Sequence, residues 1–145
     1  MFLVASADEL PGPLAGRADR ITISLPWGTL LRSVLNPESP GFGALVSVAR
    51  ACAKVEILVS STERDATSDQ LVLDEDAAAA LAARYAASGF RVDEWRPASA
   101  ADVARLSSGW GRRLGIPQRR RAWLYRLVVS CDGGDTIIRA QREEA

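Results

Sequence analysis

The chain has 145 residues, 48% hydrophobic and 25% charged, with 18 basic residues balanced by 18 acidic ones. This is one domain with enough chain to bury a core; no apolar run approaches the roughly 18 residues of a membrane span, and a net charge of zero argues against coating nucleic acid over the whole surface. Histidine is absent, which removes Ser-His and Cys-His nucleophiles and most metal sites, so no metal is expected.

In chain order, "FLVAS" (Phe2–Ser6) reads as a buried strand running into the turn Pro11-Gly12-Pro13. The N-terminus lacks the basic region of a secretory leader. Cys52 and Cys131 are too few and too far apart to indicate a disulfide framework or zinc site. Both features point to the reduced cytoplasm. Ile21, Ile23 and Leu25 alternate with Thr22 and Ser24, a strand pattern. It ends in Pro26-Trp27-Gly28, and Thr29–Leu35 reads as a helix stopped by Asn36-Pro37. A second helix is expected over Gly43–Cys52 and a strand over Val55–Val59. Asp74–Ser88 is an Ala-rich helix with acids in its first turn and Gly89 past its end. Phe90–Arg96 is a strand. Ser99 caps a helix expected over Ala100–Leu114, with Asp102 completing a capping box. Ala122–Ser130 is the last strand. Residues 1–131 then form the domain and 132–145 a polar tail.

Strands alternating with helices predict an α/β sheet, whose ligands sit at the carboxyl ends of the strands. That rim gathers three loops: Ala7–Pro11, Pro26–Thr29 and Ser60–Arg64. Trp27 either plugs the sheet end or meets a ligand there. Arg112, Arg113, Arg119, Arg120 and Arg121 fall within ten residues that hold no acid. They form a solvated basic face or a phosphate grip, for which the planar guanidinium suits. The acidic stretch from Glu63 to Asp76 reads as a solvated loop and helix start, kept away from nucleic acid by repulsion.

"FLVASADELPGPLAGRADRITISLPWGTLLRSVL", with "SSGWGRRLG" and "RRRAWLYRL" further on, resembles the aminoglycoside-resistance 16S rRNA (adenine-1408-N1)-methyltransferases. The resemblance runs from about Phe2 to Val129. It implies a class I (Rossmann-like) methyltransferase sheet that is N-terminally truncated, with strands three to seven and their flanking helices. Strand one with its glycine-rich loop and strand two with its ribose-binding carboxylate have no match, so the strand at Arg20–Pro26 becomes an exposed edge. The resemblance further implies S-adenosyl-L-methionine as cofactor, held in part by Ala7, Asp8, Pro26 and Thr29. It makes Trp27 and Trp110 the catalytic pair that sandwiches a flipped adenine, with Ser108 positioning the substrate. Arg112, Arg113, Arg119, Arg120 and Arg121 then bind RNA. The implied partner is 16S rRNA in the assembled 30S subunit, met by a monomer. Because adenine N1 carries a free lone pair, positioning and electrostatics can catalyse methylation without a histidine base. Gly109 and Gly111 beside Trp110 suggest close approach by a ligand. A second reading is a non-catalytic RNA-binding or ribosome-associated fragment.

Overall fold

The structure, a computed structural model, describes residues 3–7, 9–64, 72–107 and 109–131. Its four strands are β1 (Ala18–Ser24), β2 (Ala49–Val59), β3 (Phe90–Pro97) and β4 (Trp123–Val129). Helices α1 (Gly28–Leu35) and α2 (Pro40–Val46) link β1 to β2. Helix α3 (Glu75–Ala87) precedes β3, and α4 (Ala100–Leu106) and α5 (Trp110–Arg113) precede β4. The sheet order is β1-β2-β4-β3. β1 and β2 run parallel, and β4 runs antiparallel to both its neighbours. Reversing β4 brings Trp123 opposite Val59 and Pro97, so the chain entering β4 meets the carboxyl ends of β2 and β3. The α/β sheet is as expected, and β1 is an edge strand.

One face is apolar and covered. Ile23, Val55, Ile57, Tyr125 and Leu127 point into a core shared with Leu31 and Val34 of α1, Phe42 of α2, and Leu81 and Tyr85 of α3. Large buried side chains bolt this layer down through their polar ends. The Trp123 indole N–H donates to the Leu73 carbonyl (2.9 Å), Tyr125 O–H to the Ala78 carbonyl (2.9 Å) and Tyr85 O–H to the Val34 carbonyl (2.7 Å). Each aromatic thus buries a large area while its polar tip is satisfied.

The opposite face is mixed. Near the carboxyl rim a small core of Leu25, Leu58, Val103, Ile116 and Leu124 seats α4 and α5. Beyond it six charges close a ring. Glu56 binds Arg105 (2.8 Å) and Arg126 (2.9 Å), Arg126 binds Glu94 (2.8 Å), and Glu94 binds Arg96 (2.6 Å). Arg96 then binds Asp102 (2.6 Å), and Asp102 returns to Arg105 (3.8 Å). The ring joins β2, β3, β4 and α4.

Several expectations are corrected. Residues 3–6 form no strand, and Leu3 and Val4 stand exposed; Phe2 lies outside the described residues, as does the tail 132–145. The helix expected over Gly43–Cys52 ends at Val46, and β2 starts at Ala49 and runs longer than Val55–Val59. An irregularity in its pairing with β1 turns Cys52 into the left-handed region (φ 62°). There Cys52 is disulfide-bonded to Cys131 with Cα atoms 4.5 Å apart, against the sequence reading of two unpaired thiols. Their separation of 79 residues hides the pairing, which depends on β4 lying beside β2. The helix expected over Ala100–Leu114 is two helices: the first ends where Ser107 turns extended (φ −128°, ψ 107°), and Gly109, at φ 81°, starts the second. The Ser99–Asp102 capping box is present. Among the described residues no helix is long and apolar enough to cross a membrane.

Two outcomes follow from this packing. The arginine hydrogen bonds, that from Arg105 first, hold the Glu56 carboxyl at about 2, below its ordinary 4.5. The ring's stability is therefore complete above pH 4.5 and is lost as pH falls toward 2; urea melts across this range should show Glu56→Gln flattening the acid limb by about 1–2 kcal/mol after solvent screening. A methyl group on Gly111 would collide with Val103 Cγ1 and Ser107 Oγ. Gly111→Ala should lower stability in the same melts by about 1–3 kcal/mol, the range of overpacked sites.

Candidate nucleic-acid interface at the carboxyl rim

The stretch Leu25-Pro26-Trp27-Gly28 turns β1 sharply into α1. Leu25 takes φ 45°, rare for a branched side chain, while its N–H still donates to the Leu58 carbonyl of β2 (2.7 Å). Pro26 is buried and Gly28 takes φ 61°. Between them Trp27 occupies the cap position of α1 in extended geometry, and its side chain is 83% exposed. Nothing in the core requires this indole. The same applies, less fully, to Trp110, which opens α5 and is 51% exposed.

The two turns meet. Leu25 Cδ1 lies 3.5 Å from the place where a Gly111 Cβ would stand. Trp27 follows Leu25 by two residues and Trp110 immediately precedes Gly111, so the backbone turns that carry the two exposed indoles adjoin on the rim. The glycines beside Trp110 have structural reasons as well. Gly111 lets α5 settle onto Val103 and Ser107, and its N–H donates to Ser107 Oγ (3.3 Å). Gly109 supplies the positive φ that starts α5.

Next to this pair a cleft of about 1070 Å³ opens between the loop after β2 and the segment entering β4. Arg112, Arg113, Arg119, Arg120 and Arg121 all line it. Their side chains differ in freedom. Arg112, Arg113 and Arg119 are exposed. Arg120 Nε donates to Ser60 Oγ (2.8 Å), and Ser60 Oγ donates in turn to the Arg121 carbonyl (2.7 Å), which ties the basic turn to the end of β2. The Arg121 guanidinium lies 5.6 Å from the Trp123 ring centroid, within cation–π range. Arg64 faces these residues from the other wall. The sequence reading missed it because it sits among acids, although it lies on the rim loop Ser60–Arg64. Glu63 and Asp74, from the stretch expected to be kept away from RNA, line the same cleft as the arginines. The Asp74 carboxylate is engaged, accepting the Ala77 N–H at the start of α3 (2.8 Å).

Of the other expected site residues, the structure describes Thr29 and Ala7. Thr29 is exposed on α1 with its hydroxyl accepting from Arg32 (3.3 Å). Ala7 is half-buried in the irregular stretch before β1. Asp8 and Ser108 lie outside the described residues. Among the described residues no group of His, Cys, Asp or Glu could hold a metal ion. Nor do they fit a complete methyl-donor site. Pro26 and Thr29 follow the end of β1, and among the described residues no glycine-x-glycine turn follows a strand.

Comparison with known proteins places this geometry. The NpmA family model, described as 16S rRNA (adenine(1408)-N(1))-methyltransferase, matches residues 1–129. A protein of that name from Escherichia coli is 31% identical over 128 residues, which cover 83% of this chain and 58% of the relative. One from Streptoalloteichus hindustanus is 30% identical over 129 residues, 57% of its length. Among solved structures, the W203A mutant of the Catenulisporales acidiphilia enzyme with cosubstrate SAM superposes with a TM-score of 0.71 at 27% identity, covering 91% of this chain and 62% of that one. The 16S rRNA methyltransferase KamB gives a TM-score of 0.71 at 28% identity, covering 87% and 60%. The chain thus spans somewhat over half the length of the relatives it matches, and along the part it spans it belongs to the 16S rRNA (adenine(1408)-N(1))-methyltransferase family.

Proposed function

We propose that this chain supplies the RNA-recognition part of an adenine-N1 methyltransferase acting on the decoding site of 16S rRNA in the 30S subunit, as a monomer in the cytoplasm. The observation that carries the reading is the Leu25–Gly111 approach, which brings together the turns carrying two exposed indoles, next to an arginine-lined cleft. Adenine N1 lies on the base-pairing edge, so the target must leave its stack before reaction. Trp27 and Trp110 would receive it as two flat walls, each stack contributing about 1–3 kcal/mol. As the base gains positive charge at N1, the same π faces attract it more strongly than before, which favours the transition state over the ground state. Arg112, Arg113 and Arg119 hold backbone phosphates, Arg64 closes the grip from the opposite wall, and Arg120 positions the basic turn through Ser60.

S-adenosyl-L-methionine, the cosubstrate named for the Catenulisporales enzyme, supplies the methyl group in this reading. Pro26 and Thr29 contribute one flank of its site. The open side of β1 supports a second reading, in which the chain binds the ribosome without catalysing. Methyl transfer to 30S subunits separates the two: the first reading requires an adenine-N1 product, seen as a stop in primer extension, once the donor site is completed, and the second yields none.

RNA recognition is tested on the chain itself. Trp27→Ala and Trp110→Ala should each weaken 30S binding at least tenfold while the unfolding free energy stays within about 0.5 kcal/mol of the parent, as for exposed positions; undiminished binding in both would refute the stacking role. In a salt titration, log K should fall steeply with log salt. Removing the Arg113 charge should reduce the slope by about one, the change expected for one lost phosphate contact. A flat salt response would remove the phosphate grip.

A further inference from the structure

The disulfide between Cys52 and Cys131 stands apart from both cores. Neither cysteine packs into them and both are exposed, so filling the interior does not account for the pair. The backbone is shaped to bring the two together. β1 pairs with β2 at Ala18–Ala49 and next at Arg20–Lys54, so residues 50–53 of β2 stand against Asp19 alone. Such irregularities re-aim side chains, and at this one Cys52 takes φ 62°, a conformation that L side chains rarely adopt. On its other edge β2 pairs with β4 from Val59–Trp123 to Lys54–Val128, and the Cys52 N–H then donates to the Ser130 carbonyl (3.3 Å). These backbone bonds hold the Cα atoms of the two cysteines 4.5 Å apart and do not depend on the bond between the sulfurs. Opening the bridge therefore leaves two thiols side by side at the surface, where dissolved thiols and disulfides reach them.

The bridge spans a sequence separation of 79 residues. Inside that loop lie Arg64, Trp110 and the arginines from Arg112 to Arg121, together with α3, β3, α4, α5 and β4. Trp27, β1, α1 and α2 lie outside it. The rim itself is remote, since Cys52 and Val59 are roughly 20 Å apart along β2 at about 3.3 Å per residue. The bridge thus acts on how firmly the loop stays folded and leaves the shape of the rim alone. We infer that Cys52 and Cys131 form a reversible redox site, whose closing by a small-molecule disulfide of the glutathione class clamps the segment that carries Trp110 and the arginine cleft. The thiolate of one cysteine attacks a sulfur of the oxidised reagent, forming a mixed disulfide and releasing one reagent thiolate. The second cysteine attacks the protein-borne sulfur of that adduct and expels the other reagent thiolate. Two electrons pass from the cysteines to the reagent, and the two cysteine protons go to the departing thiolates. Excess reduced reagent reverses both steps. The site is independent of RNA recognition, because neither indole and none of the cleft arginines takes part in it.

The test carries the 145-residue chain, folded throughout, through glutathione buffers stepped from reduced to oxidised and back, with free thiols counted by maleimide labelling and mass spectrometry. The expected result is a reversible passage between two free thiols and none, with no glutathione retained. Urea melts of the two end states should give a folded-to-unfolded ratio at least about thirtyfold higher when the bridge is closed, the lower end of what closing a long loop contributes. Cys52→Ser and Cys131→Ser should each retain one glutathione in the oxidised buffer and lose the difference between the melts. A bridge that opens only after the chain is denatured, thiols that take up glutathione without closing, or equal melts of the open and closed chain would each overturn the inference. So would a serine variant that keeps the difference. The titration and melts of the parent need no variant, so misfolding of either serine variant leaves them decisive. Neither ribosome binding nor methylation is read, which keeps this outcome separate from that of the proposed function.

Discussion

Glu56 is the joint on which the rim is assembled. It stands in the middle of β2, holds Arg126 of β4 on one side and reaches Arg105 of α4 on the other. A seven-residue helix with few buried side chains makes a weak hydrophobic contact. The ring that starts at Glu56 fixes instead where α4 lies and how it is rotated. Buried and half-buried ion pairs often contribute little net stability, because desolvation offsets attraction. Their value here is positional: alternating charges on three strands and one helix satisfy one another in a single arrangement. Asp102 serves twice, closing the ring through Arg96 and capping α4 through Ser99, and these contacts keep its carboxyl well below its ordinary range. Once α4 is fixed, Gly111 can drop against Val103 and Ser107, and the Trp110 turn arrives beside the Trp27 turn.

Features that depend on neighbouring residues were legible in the sequence. The alternation at Ile21 and Ile23, the acidic first turn of α3 and the Ser99–Asp102 box are local physics, and each appears in the fold. Features that depend on tertiary pairing were not. β2 extends back to Ala49 because β1 offers it a partner from Ala18 onward, although Arg50 and Lys54 break any apolar pattern there. The disulfide belongs to the same class. Gly109 and Gly111 suggested close approach by a ligand, whereas in the fold one provides a backbone angle and the other room for a valine.

The candidate site divides along the same line. The two exposed tryptophans and the arginine run could be picked out from composition, turn signals and resemblance. Which arginines carry structural partners could not, because Arg120 is held by a serine 60 positions away and Arg121 lies over a ring set by the sheet. Arg64 escaped notice for the converse reason. Its neighbours in sequence are acidic, and only folding sets it across the cleft from the basic turn.

The position of β4 bears on how the molecule is made. Among the described residues this strand is the last, lies between β2 and β3 and is the only link between them within the sheet. While synthesis proceeds from Ala49 to Pro97, both strands emerge with no partner for their inner edges, and the apolar layer beneath them cannot close. Cooperative closing of this sheet therefore waits until residues 123–129 have left the ribosome, so the segment stays vulnerable to aggregation and proteolysis throughout the synthesis of residues 49–129.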